Sequence, residues 1–189
     1  MTNQNQTTYP SQSNSEKKSD RRMLTGMFAD RDSAERAYNT LHERGYSKDD
    51  INVIMTDDTR KKHYSNDNVK TDLGTKAAET AGTGSVIGGT IGAIVGIVAA
   101  VGTSIAIPGL GLLIAGPIAG GLAGAGAGGI TGGLIGALVG SGIPEDRAKV
   151  YEAGLKNGHV VMGVDPRNEE DAKYFEESWR NNKGSEIYR

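Results

Sequence analysis

The sequence predicts an α+β fold: a ferredoxin-like split pair of β-α-β units interrupted by a glycine-zipper helical hairpin. Three observations predict it. Two flanking segments repeat the order strand, helix, strand. The 65 residues from Thr80 to Pro144 carry no charged side chain and hold 21 of the 28 glycines. All 21 basic and 23 acidic residues lie outside that block. A chain of 189 residues has room for one domain plus additions, so two physically different regions share one chain.

Residues 1–22 are Asn, Gln, Ser and Thr with almost nothing apolar. They cannot bury enough area to offset chain entropy, which predicts a disordered polar tail, and they lack the apolar stretch of a signal peptide. Residues 23–56 form the first β-α-β half. Met23 to Phe28 is a short apolar strand, and Asp30 to Arg44 is a helix with Ala34, Ala37, Tyr38 and Leu41 on one face. Asp30 or Asp32 caps that helix, Gly45 stops it, and Ile51 to Met55 is the second strand. Residues 57–81 are a polar linker, with Leu73 to Ala81 beginning the next helix.

Residues 143–189 hold an extra helix and the second half. Ile143 to Asn157 has Pro144 in its first turn, Glu145 and Asp146 near the positive end and Lys156 near the other. Ala148, Tyr151 and Leu155 share a face, and Gly158 ends the helix. His159 to Val164 is β-rich. A helix then starts at Pro166 or Asn168 and carries Ala172, Phe175 and Trp179, and Gly184 precedes a short edge strand from Glu186 to Tyr188. Two such halves build a four-stranded antiparallel sheet with both helices on one face. Neither half buries enough apolar area to be stable alone.

Residues 82–142 are the zipper. Gly84, Gly88, Gly92 and Gly96 recur every four residues, as do Gly116, Gly120, Gly124, Gly128, Gly132, Gly136 and Gly140. On a helix this spacing lays a bare ridge of backbone along one side, where another helix approaches closely. Eleven of the 25 residues from Gly116 to Gly140 are glycine, a propensity cost of roughly 10 kcal/mol in a solvated helix, so packing or an apolar surround has to hold it. The reading is one helix over about 82–103, a turn at Ser104 to Gly111 containing Pro108 and Gly109, and a second helix from about Leu113 to Gly140, with Gly84 to Gly96 facing Gly120 to Gly132. Each arm is long enough to span a hydrocarbon core of about 30 Å. Two settings stay open: insertion in the inner membrane, or packing on the open face of the sheet or on sister copies. Insertion would leave both flanks on the cytoplasmic side, with Lys76, Arg147 and Lys149 next to the block.

Composition excludes several kinds of chemistry. Without cysteine there is no disulfide, thiolate nucleophile or zinc-thiolate site. The net charge of -2 argues against a nucleic-acid surface, and the small cluster Lys17, Lys18, Arg21 and Arg22 is broken by Asp20. Gly124, Gly126 and Gly129 match GxGxxG, but no strand leads in and no acidic residue follows at ribose distance. His42, His63 and His159 show no metal-ligand spacing. Asp30 with Asp32, and Asp57 with Asp58, fall at strand ends as capping groups, and Tyr174, Phe175 and Trp179 read as core and core rim. No catalytic, cofactor-binding or metal residue is assigned. The candidate functional residues are the helix-packing glycines.

Three stretches carry a family resemblance: TGMFADRDSAERAYNTLHERGYSKDDINVI from Thr25 to Ile54, AIPGLGLLIAGPIAGGLAGAGAGGITGGLIGALVGSGIPEDRAKVYEAGLKNG from Ala106 to Gly158, and the closing VVMGVDP. They resemble bacterial general stress proteins of the heat-induced stress protein family, most specifically at residues 142–145 and 151–154. The resemblance implies a split α+β domain around a glycine-zipper insertion, induction by stress, and no catalytic residues to carry over. The expectation is therefore a non-catalytic general stress protein without a cofactor, acting by self-association into a homo-oligomer, by contact with membrane lipid, or both. It would be cytoplasmic, or on the cytoplasmic side of the inner membrane with the hairpin inserted. The alternative is a soluble small-molecule-binding or regulatory module.

Overall fold

The structure, a computed structural model, describes residues 23–64, 94, 104–107, 111–124, 133–140 and 142–189, with no account of the side chains of 104–107, 121–124 and 137. In chain order the elements are β1 (Leu24–Phe28), α1 (Arg31–Glu43), β2 (Ile51–Thr56), α2 (Asp57–His63), β3 (Ser104–Ile107), β4 (Leu112–Ala115), α3 (Pro117–Gly124), α4 (Gly133–Gly140), α5 (Glu145–Lys156), β5 (Val160–Val164), α6 (Glu169–Asn181) and β6 (Ser185–Tyr188). The result is an α+β fold on one antiparallel sheet of order β3-β4-β2-β5-β1-β6.

Helix ends follow the local chemistry. The Asp30 carboxylate accepts the Ser33 amide at 2.8 Å and caps α1, and Asn168 does the same for α6 through Asp171. Pro144 opens α5, and Gly158 at φ 87 follows its end. The Ser33 amide holds the Asp30 carboxyl below the usual carboxylate range, partly opposed by burial. A lowered native value contributes stability that is present above the unfolded value, about 3.9, and lost as pH falls through the native one. Asp30→Ala is expected to cost about 1 kcal/mol at neutral pH, and urea denaturation should show that difference shrinking as pH is lowered below about 4.

Strand residues alternate between two cores. Leu24, Phe28, Ile51, Val53, Met55, Leu113, Ala115, Val160, Met162 and Val164 face α1 and α6, where they meet Ala34, Ala37, Tyr38, Leu41, Phe175 and Trp179. Met27, Ile54, Leu112, Ile114 and Val161 face the other way, onto Ala119 of α3, Leu134 and Leu138 of α4, and Ala148, Tyr151 and Leu155 of α5. Burial on both faces explains strands that are apolar almost throughout, such as Ile51 to Met55.

Four expectations are corrected. The sheet has six strands rather than four, because Ser104–Ile107 and Leu112–Ala115 pair with each other and β4 pairs with the edge of β2. The sequence alone places those segments in a turn and at the start of a helix. Short apolar runs flanking the Pro108-Gly109 pair suit a β-hairpin, and the β2 edge offers unpaired backbone groups for it. The second zipper helix is likewise not continuous from Leu113 to Gly140: β4 occupies its start, and Gly116 and Gly133 take φ values of 100 and 67. Finally, Asp57–His63 is a helix rather than linker. The Thr56 hydroxyl caps it, acidic Asp57 and Asp58 open it, and Arg60 to His63 close it.

The tail 1–22, most of the linker 65–81 and the zipper residues up to 103 other than Ile94 lie outside the described residues. Ile94, from the first arm, is buried in the core on the α1 and α6 side, whereas α3 and α4 lie across the sheet from it.

Candidate functional site

A glycine series marks a helix-packing ridge only where it is helical and lies against another backbone. Of the eleven predicted glycines, Gly84, Gly88, Gly92, Gly96, Gly128 and Gly132 lie outside the described residues. Gly116 is not on a helix. It makes the corner between β4 and α3, where a Cβ would stand 2.2 Å from the Ile51 carbonyl oxygen. Gly120 and Gly124 belong to α3, and Gly136 and Gly140 to α4. Gly120 is exposed, and among the described residues no atom outside its own helix backbone comes within 4 Å of where its Cβ would be. At Gly116 the close backbone approach is helix corner to strand.

What α3 and α4 do present is an uncharged outer surface. Pro117, Gly120, Val139 and Gly140 are exposed and Gly136 is half-buried, while the half-buried Ile118 and Ile135 pack against the core. Val139 is 42% exposed, the largest value among the described large apolar side chains. The outward positions of α5 and α6 differ: Glu145, Asp146, Lys149, Lys173 and Glu177 are charged. Asn52 seats this layer. It is buried on β2, accepts the Ile118 amide at 2.8 Å at the start of α3, and its amide lies 3.4 Å from the Gly163 carbonyl. One side chain therefore links β2, β5 and the first turn of α3.

Sequence reasoning missed a buried polar cluster on the opposite side of the sheet. Glu35 is only 2% exposed; its Oε2 accepts the Ile94 amide at 3.2 Å, and Arg31 Nε lies 3.9 Å from its Oε1. Arg31 Nη1 donates to the His63 carbonyl at 2.7 Å, and its guanidinium carbon stands 5.4 Å from the centre of the Tyr64 ring. Among the described residues, the Arg31 Nε and Nη2 groups and the Tyr64 hydroxyl are buried without a hydrogen-bond partner. Burial first, then the charge of Glu35, raises the Tyr64 and Tyr38 hydroxyls, Tyr38 to about 12, so both stay protonated donors at neutral pH. The signal was faint, because Arg31 and Glu35 at i and i+4 look like a solvated pair. The hint was that Glu35 adjoins the apolar Ala34, Ala37 and Tyr38.

The remaining candidates are separate. His42 Nδ1 lies 3.1 Å from the Tyr46 carbonyl, His63 contributes its own carbonyl to Arg31, and His159 leads into β5. Asp30 is a cap, while Asp57 pairs with Arg60 and Lys61 at 2.9 and 2.6 Å. Phe175 and Trp179 are core, and Tyr174 is at the rim. Among the described residues no group of His, Asp and Glu is placed to hold a metal ion, and no helix is long and apolar enough to cross a membrane. Comparison of the chain with family models, with curated proteins and with solved structures gives no match.

Proposed function

We propose that this is a non-catalytic protein of the general-stress type that acts by association, with the outer surface of α3 and α4 as its contact. One observation carries the reading: these helices are packed into the domain by Ala119, Leu134 and Leu138, yet their described exposed residues, Pro117, Gly120, Val139 and Gly140, include no charge. Glycine on that surface lets another backbone or a lipid interface come close. A second copy of the chain is the partner we favour, with peripheral membrane contact as the other arrangement on the cytoplasmic side. We read the core as ferredoxin-like, since β6-β1-β5-β2 is the strand order of two interleaved β-α-β units, with β3 and β4 added by the insertion.

Val139→Asp tests the contact. The site is exposed, so stability should change by less than about 0.5 kcal/mol, while association should weaken at least roughly tenfold because a charge would have to be desolvated. Sedimentation velocity over a concentration series reads self-association, and co-pelleting with anionic vesicles reads lipid contact. Unchanged behaviour in both would remove α3 and α4 from the function.

The donors of Arg31 and Tyr64 left without a partner among the described residues favour a second reading, a small-molecule-binding or regulatory module. A thermal shift with small carboxylates or inorganic phosphate, abolished by Tyr64→Phe, would support it.

A further inference from the structure

The C-terminal strand meets the rest of the molecule through a short turn and an irregular ladder. We propose that β6 is exchanged between copies of this chain, the β1 edge of one protomer being filled by Ser185–Tyr188 of another. This surface is separate from α3 and α4, and the inference does not rest on the association reading above.

The turn favours opening. Among the described residues, Lys183 and Glu186 are the two non-glycine residues with left-handed backbone, at φ 61 and 50. Lys183 donates its amide to the Arg180 carbonyl at 3.1 Å and Gly184 to the Trp179 carbonyl at 2.7 Å. Continuing α6 by one short step would exchange these for Lys183 to Trp179 and Gly184 to Arg180, one bond for one, and release the left-handed Lys183. Short strained hinges of this kind are where strand exchange begins.

The ladder is weak as well. β1 pairs with β5 over five residue pairs, but with β6 through two, Thr25 with Tyr188 and Met27 with Ser185, with a register shift between them. Ile187 packs against the core, and side-chain ties help to hold β6: the Tyr151 hydroxyl to the Glu186 carbonyl at 2.7 Å, Arg147 to the Glu186 carboxylate at 3.1 Å, Ser185 Oγ to the Met27 carbonyl at 3.2 Å, the Thr25 hydroxyl to the Tyr188 carbonyl at 3.4 Å, and Arg147 over the Tyr188 ring. Each joins β6 to another element, so β6 from a second copy would restore every one. That identity makes the second copy the occupant the edge fits best.

The chain has no cysteine, which makes a directed cross-link unambiguous. Full-length Thr25→Cys and full-length Tyr188→Cys chains are mixed at high concentration a few degrees below the thermal transition, cooled and oxidised. Exchange predicts a disulfide-linked species containing one chain of each kind, identified by mass and severalfold above either self-linked species. Adding Lys183→Gly, which relieves the closed hinge, should lower its yield roughly tenfold. Met27→Cys with Ser185→Cys is read in the same way, and either pair giving the mixed species supports exchange. Absence of the mixed species with both pairs overturns it.

Discussion

Alanine at position 116 is expected to destabilise the protein by about 4 kcal/mol, a large share of the 5–15 kcal/mol typical of a domain. Gly116 has φ 100, and an added Cβ would stand 2.2 Å from the Ile51 carbonyl oxygen and 2.9 Å from the Asn52 Cα. Both obstacles are backbone of β2, which is held between β4 and β5 and cannot withdraw without breaking the sheet. Gly120→Ala, four residues on in the same series, should have the opposite sign. That position is helical and open, and alanine should add about 0.5–1 kcal/mol of helix preference. Urea denaturation of the two full-length variants separates them. Equal effects would mean that Gly116 lies on a helix, as the sequence periodicity alone suggests.

Trp179→Ala should cost about 4 kcal/mol, whereas Trp179→Phe should cost less than about 1.5. The indole is fully buried, lies edge-on to Phe28 with ring centres 5.6 Å apart, and covers Gly26 so closely that a Cβ there would be 2.8 Å from its Cε3. Alanine would leave a cavity between α6 and the sheet at the position where the C-terminal turn rests. Phenylalanine fills much of that volume and also removes a buried indole N–H that has no acceptor among the described residues, a group whose desolvation works against folding. Thermal and chemical denaturation followed by circular dichroism measure both variants. A phenylalanine variant as damaged as the alanine one would mean that the N–H is satisfied in solution.

The parts legible in the sequence were those fixed by neighbours along the chain. Asp30 and Asn168 cap helices through amides three residues on, and Gly45 and Gly158 follow helix ends with the positive φ that glycine tolerates. Ala148, Tyr151 and Leu155 were placed on one face by spacing, and all three are buried. The centre is harder because four-residue glycine spacing suggests helix throughout. Leu112–Ala115 is four residues long, too short for periodicity to separate strand from helix, and its partner β2 is distant in sequence. Asp57–His63 was hidden by polarity, since its residues have caps and charges but almost no apolar face. The Arg31, Glu35 and Tyr64 cluster depended on packing from three segments, and no local pattern marks a charge pair for burial.

The position of β5 has a consequence for synthesis. It lies between β1 and β2, and its first residue follows the end of β2 by about a hundred residues. At about 5–20 residues per second, β1, α1 and β2 wait on the order of ten seconds at the ribosome before the strand that joins them is made. During that interval both inner edges are open and apolar on two sides, which is when a nascent chain is most exposed to chaperones and to wrong partners.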